Sequence, residues 1–138
     1  MPVPDFLDTN VVVYAYDPSD VQKQRVAQDL IRRALAGEFV VSSQVLAEFA
    51  STLLHKMSPP ARAEDVIAAL DALGPIRVVV PDSDTVRRAV EARVVYGIHF
   101  YDGMIIAAAE RGACQRILSE DLNAGQRYFG VAVENPFR

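Results

Sequence analysis

The sequence has one cysteine, Cys114. No disulfide can form within the chain, and the framework is that of a reducing compartment. Cys114 is expected as a small buried residue at the start of a strand. The N-terminus shows no basic segment and no long apolar stretch, so no signal peptide is expected. No apolar run approaches the roughly 18 residues of a membrane span. A cytoplasmic protein without a membrane partner is the expectation. Positive charge is scarce as well: the formal net charge is −4 at pH 7, which disfavours a general polyanion binder. All the basic residues except Lys23 and Lys56 are arginine, the better reader of phosphate, so a local nucleic-acid site stays open. The two histidines, His55 and His99, follow no zinc spacing. His55 is expected on the surface near a helix end. His99 is expected as a loop contact, near enough to Asp102 in sequence to touch a substrate. There is no internal repeat, low-complexity segment or long linker.

What is present is a chain of 138 residues, 51% apolar. That length suits one domain spanning 1–138, burying roughly two-thirds of its unfolded surface. Short apolar strands alternate with helices. The first strand is expected over Val3–Leu7, headed by Pro2 and Pro4, where a missing donor is tolerated. A helical turn from Val11 to Tyr16 should stop at Asp17-Pro18-Ser19-Asp20. Val21–Ala36 carries an apolar face and predicts a helix. Further strands are expected at Phe39–Ser42, Ile76–Val80, Arg116–Ser119 and Val131–Val133, the last after a polar stretch from Glu120 to Tyr128. Further helices are expected from Ser42 or Ser43 to about Lys56, from Pro60 to Gly74-Pro75, over Thr85–Tyr96, and from about Tyr101 to Arg111. The alternation predicts the α/β class: a three-layer α/β/α sandwich with a parallel sheet of about five strands.

In open α/β sheets, ligands bind outside the carboxyl ends of the strands. Four acids fall there. Asp8 follows the first strand directly, in Phe6-Leu7-Asp8-Thr9-Asn10. Asp121 lies just past the strand ending at Ser119. Glu48 sits in the first two turns of the helix after the second strand, and Asp102 in the first turn of its own helix. Three of them have plain structural uses: Asp8 as a cap, Asp102 as an acid at a helix N-terminus, Asp121 in a turn with Asn123 and Gly125. Glu48 does not. It lies in Val45-Leu46-Ala47-Glu48-Phe49-Ala50, with no Lys or Arg three or four places away, and a buried carboxylate needs a partner. A metal or a distant segment must supply it. Converging carboxylates repel and raise each other's pKa. One or two hard cations, Mg²⁺ or Mn²⁺, would relieve that, and such a site can activate water and hold a phosphodiester in line. Arg25, Arg32, Arg33, Arg87, Arg88 and Arg127 could line a phosphate path, although arginine on a helix face is more often merely solvated.

Taken together, four segments resemble the PIN-domain ribonucleases, and among them the VapC-like toxins of toxin–antitoxin pairs. Phe6-Leu7-Asp8-Thr9-Asn10 is similar to the first motif and Ser42-Ser43-Gln44-Val45-Leu46-Ala47-Glu48-Phe49 to the second. Tyr101-Asp102-Gly103-Met104-Ile105 is similar to the third and Leu118-Ser119-Glu120-Asp121-Leu122 to the fourth. The resemblance covers nearly the whole chain. It implies an Mg²⁺- or Mn²⁺-dependent endoribonuclease acting on RNA, a homodimer, and inhibition by a cognate antitoxin. It implies Asp8, Asp102 and Asp121 as metal ligands and Glu48 as a further catalytic acid. Thr9, Asn10 and Ser119 would be supporting hydrogen-bond partners. Gly103 carries no expectation. The alternatives are a catalytically inactive PIN-like module that binds RNA or protein, and a receiver or aspartate-nucleophile phosphatase domain. The phosphatase pattern wants an Asp where Asn10 stands.

Overall fold

Asp5, Phe6 and Leu7 form the first strand, β1 (Asp5–Leu7), in the interior of the sheet, and all three are buried. The computed structural model describes residues 3–138. Pro2, expected at the head of this strand, lies outside the described residues. The strand starts later than the expected Val3 because Pro4 has no N–H for a ladder. The Asp5 N–H donates to Glu38 O at 3.3 Å.

Asp8 caps the short helix α1 (Thr9–Tyr14), where the apolar run predicted a helical turn. Helix α2 (Val21–Leu35) is capped by Asp20 and buries Ala27, Leu30, Ile31 and Ala34. Strand β2 (Phe39–Ser42) is wholly buried and runs directly into α3 (Ser43–His55). Ser42 serves both, accepting the Val45 N–H at 3.2 Å. Helix α4 (Ala63–Leu73) begins later than the expected Pro60. Each residue before a proline in Ser58-Pro59-Pro60 is held away from helical backbone, and the Ala61 N–H is taken by Leu53 O at 2.9 Å. After β3 (Arg77–Val79), helix α5 (Ser83–Tyr96) opens on a reciprocal cap between Asp82 and Thr85 and closes on Gly97 at φ 68°. Helix α6 (Phe100–Arg111), β4 (Arg116–Leu118), β5 (Arg127–Tyr128) and β6 (Val131–Glu134) complete the chain.

The described residues form a six-stranded sheet in the order β3-β2-β1-β4-β6-β5. It is parallel except at the β5–β6 edge. The expected parallel sheet of about five strands therefore gains an antiparallel edge strand. Phe129 and Gly130 both take positive φ, 49° and 83°. This two-residue reversal folds Arg127–Tyr128 back onto Val131–Ala132. Helices flank the sheet as a three-layer sandwich: α1 packs on α2 and α3, α3 packs on α4, and α5 pairs with α6. The α5–α6 contact depends on Gly103, where a Cβ would come within 2.6 Å of the Ala89 carbonyl oxygen. Among the described residues no helix is long and apolar enough to cross a membrane.

From β1 the chain steps outward to β2 and β3, then returns to place β4 on the other side of β1. The gap between the carboxyl ends of β1 and β4 is thus the topological switch point, where the flanking connections diverge and leave a crevice. Asp8 and Ser119 stand at its two lips, and the Asp8 N–H donates across it to Leu118 O at 3.1 Å.

Candidate active site

The crevice opens into a cleft of about 580 Å³ lined by Asp8, Glu48, Asp102 and Asp121 together with Thr9, Asn10 and Tyr101. The four acids come from the ends of β1 and β4, the second turn of α3 and the first turn of α6. The strand-end reasoning placed them on one edge of the sheet, and they do line one cavity.

Asp8 is the most buried of the four, at 6% exposure. Its Oδ1 accepts the Thr9 N–H at 2.7 Å, and its Oδ2 accepts the Ser119 hydroxyl at 2.8 Å. Burial, above all, pushes its carboxyl up to about 6; the Ser119 and Thr9 bonds oppose this, and the charges of Asp121 and Glu48 add to it. Ser119 is fully buried. While donating to Asp8 it accepts the N–H groups of Asp121 and Leu122 at 3.1 and 3.2 Å, which shapes the turn that carries Asp121. Asn10 works from the other side. Its Nδ2 donates to Asp121 Oδ2 at 3.1 Å, and its Oδ1 accepts the Glu120 N–H at 3.1 Å.

Glu48 finds its partner in a distant segment, as its apolar setting required: Thr9 Oγ1 donates to its Oε1 at 2.9 Å. Gln44, one turn earlier, donates to the same oxygen at 3.3 Å and lies as close to the Tyr101 carbonyl, tying α3 to α6. Asp102 is half-buried. Burial first, and the Asp121 charge after it, hold its carboxyl above the usual range, with His99 acting in the opposite sense. His99 is the N-cap of α6, its Nδ1 accepting the Tyr101 N–H at 3.1 Å. His55 is exposed and Cys114 buried, as expected.

In the segment after β4, the polar side chains of Glu120, Asp121 and Asn123 part ways. Asp121 faces Asn10 and couples to both Asp8 and Asp102. Glu120 is engaged by Tyr14 at 2.6 Å and Lys23 at 2.5 Å. Asn123 does not line the cleft. The Tyr14–Glu120–Lys23 cluster was not anticipated, since Glu120 lies 106 and 97 residues from its two partners. Gln44 was, in principle, visible as the residue one helical turn before Glu48. The arginines proposed as a phosphate path do not line the cleft. Arg32, Arg33, Arg87 and Arg88 pair with acids on or beside their own helices. The cleft's basic residue is Lys56.

Among the described residues, no group of three or more His, Cys, Asp or Glu side chains is gathered closely enough to hold a metal ion as it stands. The donor chemistry nevertheless fits a hard divalent cation. The four carboxylates present oxygen, and the charges of Asp121 and Glu48 oppose ionisation of their neighbours.

A family model described as PIN domain matches residues 6–129. Solved structures share the fold. A DNA-bound VapBC from Salmonella typhimurium superposes with a TM-score of 0.70 at 18% identity, over 98% of this chain and 99% of the other. VapBC2 from Rickettsia felis, bound to a promoter DNA fragment, gives 0.65 at 20% identity over 95% and 97%. Mycobacterium tuberculosis VapC20, a toxin that cleaves the sarcin–ricin loop, gives 0.64 at 22% identity over 85% and 91%. Comparison with curated protein sequences gives no match.

Proposed function

The chain belongs to the PIN-domain family, and on that premise we propose that it is a metal-dependent endoribonuclease, the toxin of a toxin–antitoxin pair, acting as one domain over 1–138. The observation that carries this is the single cleft shared by Asp8, Glu48, Asp102 and Asp121 at the switch point of the sheet. Structural caps and turns explain each acid alone. They do not explain why four segments bring acids to one place, where the charges oppose ionisation of Asp8 and Asp102.

Asp8, Asp102 and Asp121 would hold Mg²⁺ or Mn²⁺. Such an ion lowers the pKa of a bound water and stabilises charge on a phosphodiester in transit. Glu48, steered by Thr9 and Gln44, is the acid free to orient a water and take its proton. Ser119 and Asn10 fix the carboxylates of Asp8 and Asp121, since small misplacements at such a site are costly. A structure of the same fold from Klebsiella pneumoniae is a toxin–antitoxin complex, which supports a cognate antitoxin as partner. The reading includes a homodimer and a cytoplasmic location.

The test is cleavage of pooled cellular RNA with Mg²⁺, with Mn²⁺ and with chelator, beside Asp102→Asn. Cleavage that requires both metal and Asp102 supports the nuclease. An Asp102→Asn protein as active as the parent, free of contaminating nuclease, refutes it. RNA binding without metal binding or cleavage points to the inactive module instead.

A further inference from the structure

We propose that Tyr101, backed by His99, is a stacking platform for an unpaired base of RNA entering the cleft. The inference deepens the nuclease reading and rests on it. Tyr101 lines the acidic cleft beside Asp102 and yet is 56% exposed. A lone exposed aromatic ring needs no explanation, but this one is held in place. The His99 ring lies 5.8 Å away at 25° to it, and Phe100 meets it edge-on at 5.2 Å. The Tyr101 N–H is fixed by His99 Nδ1 at 3.1 Å, and its carbonyl accepts from Gln44 at 3.3 Å. Backbone and ring are therefore set before any ligand arrives, and little side-chain entropy remains to be lost.

The chemistry of the cleft points to a base as the ligand for this ring. Six acids, Asp17 and Glu120 besides the four named above, and a single basic residue, Lys56, line it, so phosphate charge supplies little attraction apart from a metal. Stacking needs no charge, and every base has a π-face to offer. A base flat on a tyrosine must be free of its duplex neighbours. Gln44 connects the platform to Glu48 by donating to both Glu48 Oε1 and the Tyr101 carbonyl. A base seated on Tyr101 is thereby held in register with the acid that handles the water.

The test titrates a short unstructured oligoribonucleotide, carrying one 2-aminopurine, with Asp8→Asn protein and with the same protein bearing Tyr101→Ala or Tyr101→Trp. The duplex form of the oligonucleotide is run in parallel. Binding should quench the fluorophore. Tyr101→Ala should weaken single-strand affinity about tenfold, Tyr101→Trp should stay within about twofold, and duplex binding should not move. Four results overturn the platform: no single-strand binding by the parent, an alanine variant within about twofold of it, equal weakening for strand and duplex, or a loss of self-association in the alanine variant, which would assign Tyr101 to a contact between copies. Cleavage by the wild-type chain is scored separately. Cleavage with Tyr101-independent binding removes the platform and leaves the nuclease. Tyr101-dependent binding without cleavage removes the nuclease and leaves the platform.

Discussion

The Ser119 hydroxyl donates to Asp8 Oδ2 at 2.8 Å across the gap between β4 and β1. Residues 111 apart in sequence meet because those strands are parallel neighbours, with Leu7 in register with Leu118. The residue after each strand therefore stands at the same height. The register that builds the sheet is thus also what positions the least exposed acid of the cleft.

Ser119→Ala should damage both jobs of this hydroxyl. Asp8 loses a donor, and the N–H groups of Asp121 and Leu122 lose their acceptor. Stability should fall by about 1–3 kcal/mol, and Mn²⁺ affinity by about 10–100-fold. Thermal melting and titration calorimetry measure the two. A variant that melts and binds Mn²⁺ like the parent would show that the hydroxyl positions nothing.

Asp8 makes the metal-free protein sensitive to pH. Its folded pKa of about 6 stands above the ordinary 3.8, so the folded state holds the proton more tightly than the unfolded chain does. Stability is fully present below about pH 4 and is lost as pH rises through 6, by about 3 kcal/mol for this group. Asp8→Asn should abolish RNA cleavage and, in chelator, be more stable than the parent at pH 7.5. The difference between the two should shrink as pH falls toward 4. Denaturant unfolding across that range tests it, and a difference that stays flat or grows on acidification contradicts the assignment.

Local signals in the sequence carried the fold and the acids. Caps at Asp20, Ser42 and Asp82, the stop at Gly97 and the buried apolar strands each act within a few residues. Placing Asp8, Glu48, Asp102 and Asp121 at strand ends and helix starts then sufficed to bring them to one edge. Long-range pairings were not legible. Nothing local marks Lys23 as the partner of Glu120, or Thr9 as the donor to Glu48. Strand β5 has two residues, one of them exposed, and is held by the tight turn after it, so no alternating pattern announces it. The acids that pair with Arg32, Arg33, Arg87 and Arg88 were not legible either, because an arginine on a helix face carries no sign of its partner.

Glu120 is the pin of the turn bearing Asp121. Tyr14 and Lys23 hold its carboxylate, while its N–H goes to Asn10. Lys23→Met should leave the melting temperature nearly unchanged, because partly exposed ion pairs contribute little. It should still lower kcat by about three- to tenfold with KM little altered, since Asp121 is then less well fixed. Steady-state kinetics on a defined RNA separate the two parameters. An unchanged kcat would show that the turn keeps its shape without the cluster.

Gly103 makes the sharpest steric claim. A Cβ there would lie 2.6 Å from the Ala89 carbonyl oxygen, 3.3 Å from its carbon and 3.3 Å from its Cα. These are backbone atoms and cannot rotate aside. Gly103→Ala must push α6 away from α5, and α6 carries Asp102 in its first turn. The gain in helix propensity, about 1 kcal/mol over glycine, works against an overpacking cost of about 1–3 kcal/mol. The expected outcome is a net loss of stability, accompanied by weaker Mn²⁺ binding because Asp102 moves with its helix. An exposed helical site would instead be stabilised by the same change. A higher melting temperature for Gly103→Ala would therefore mean that the two helices do not meet as closely as this backbone places them.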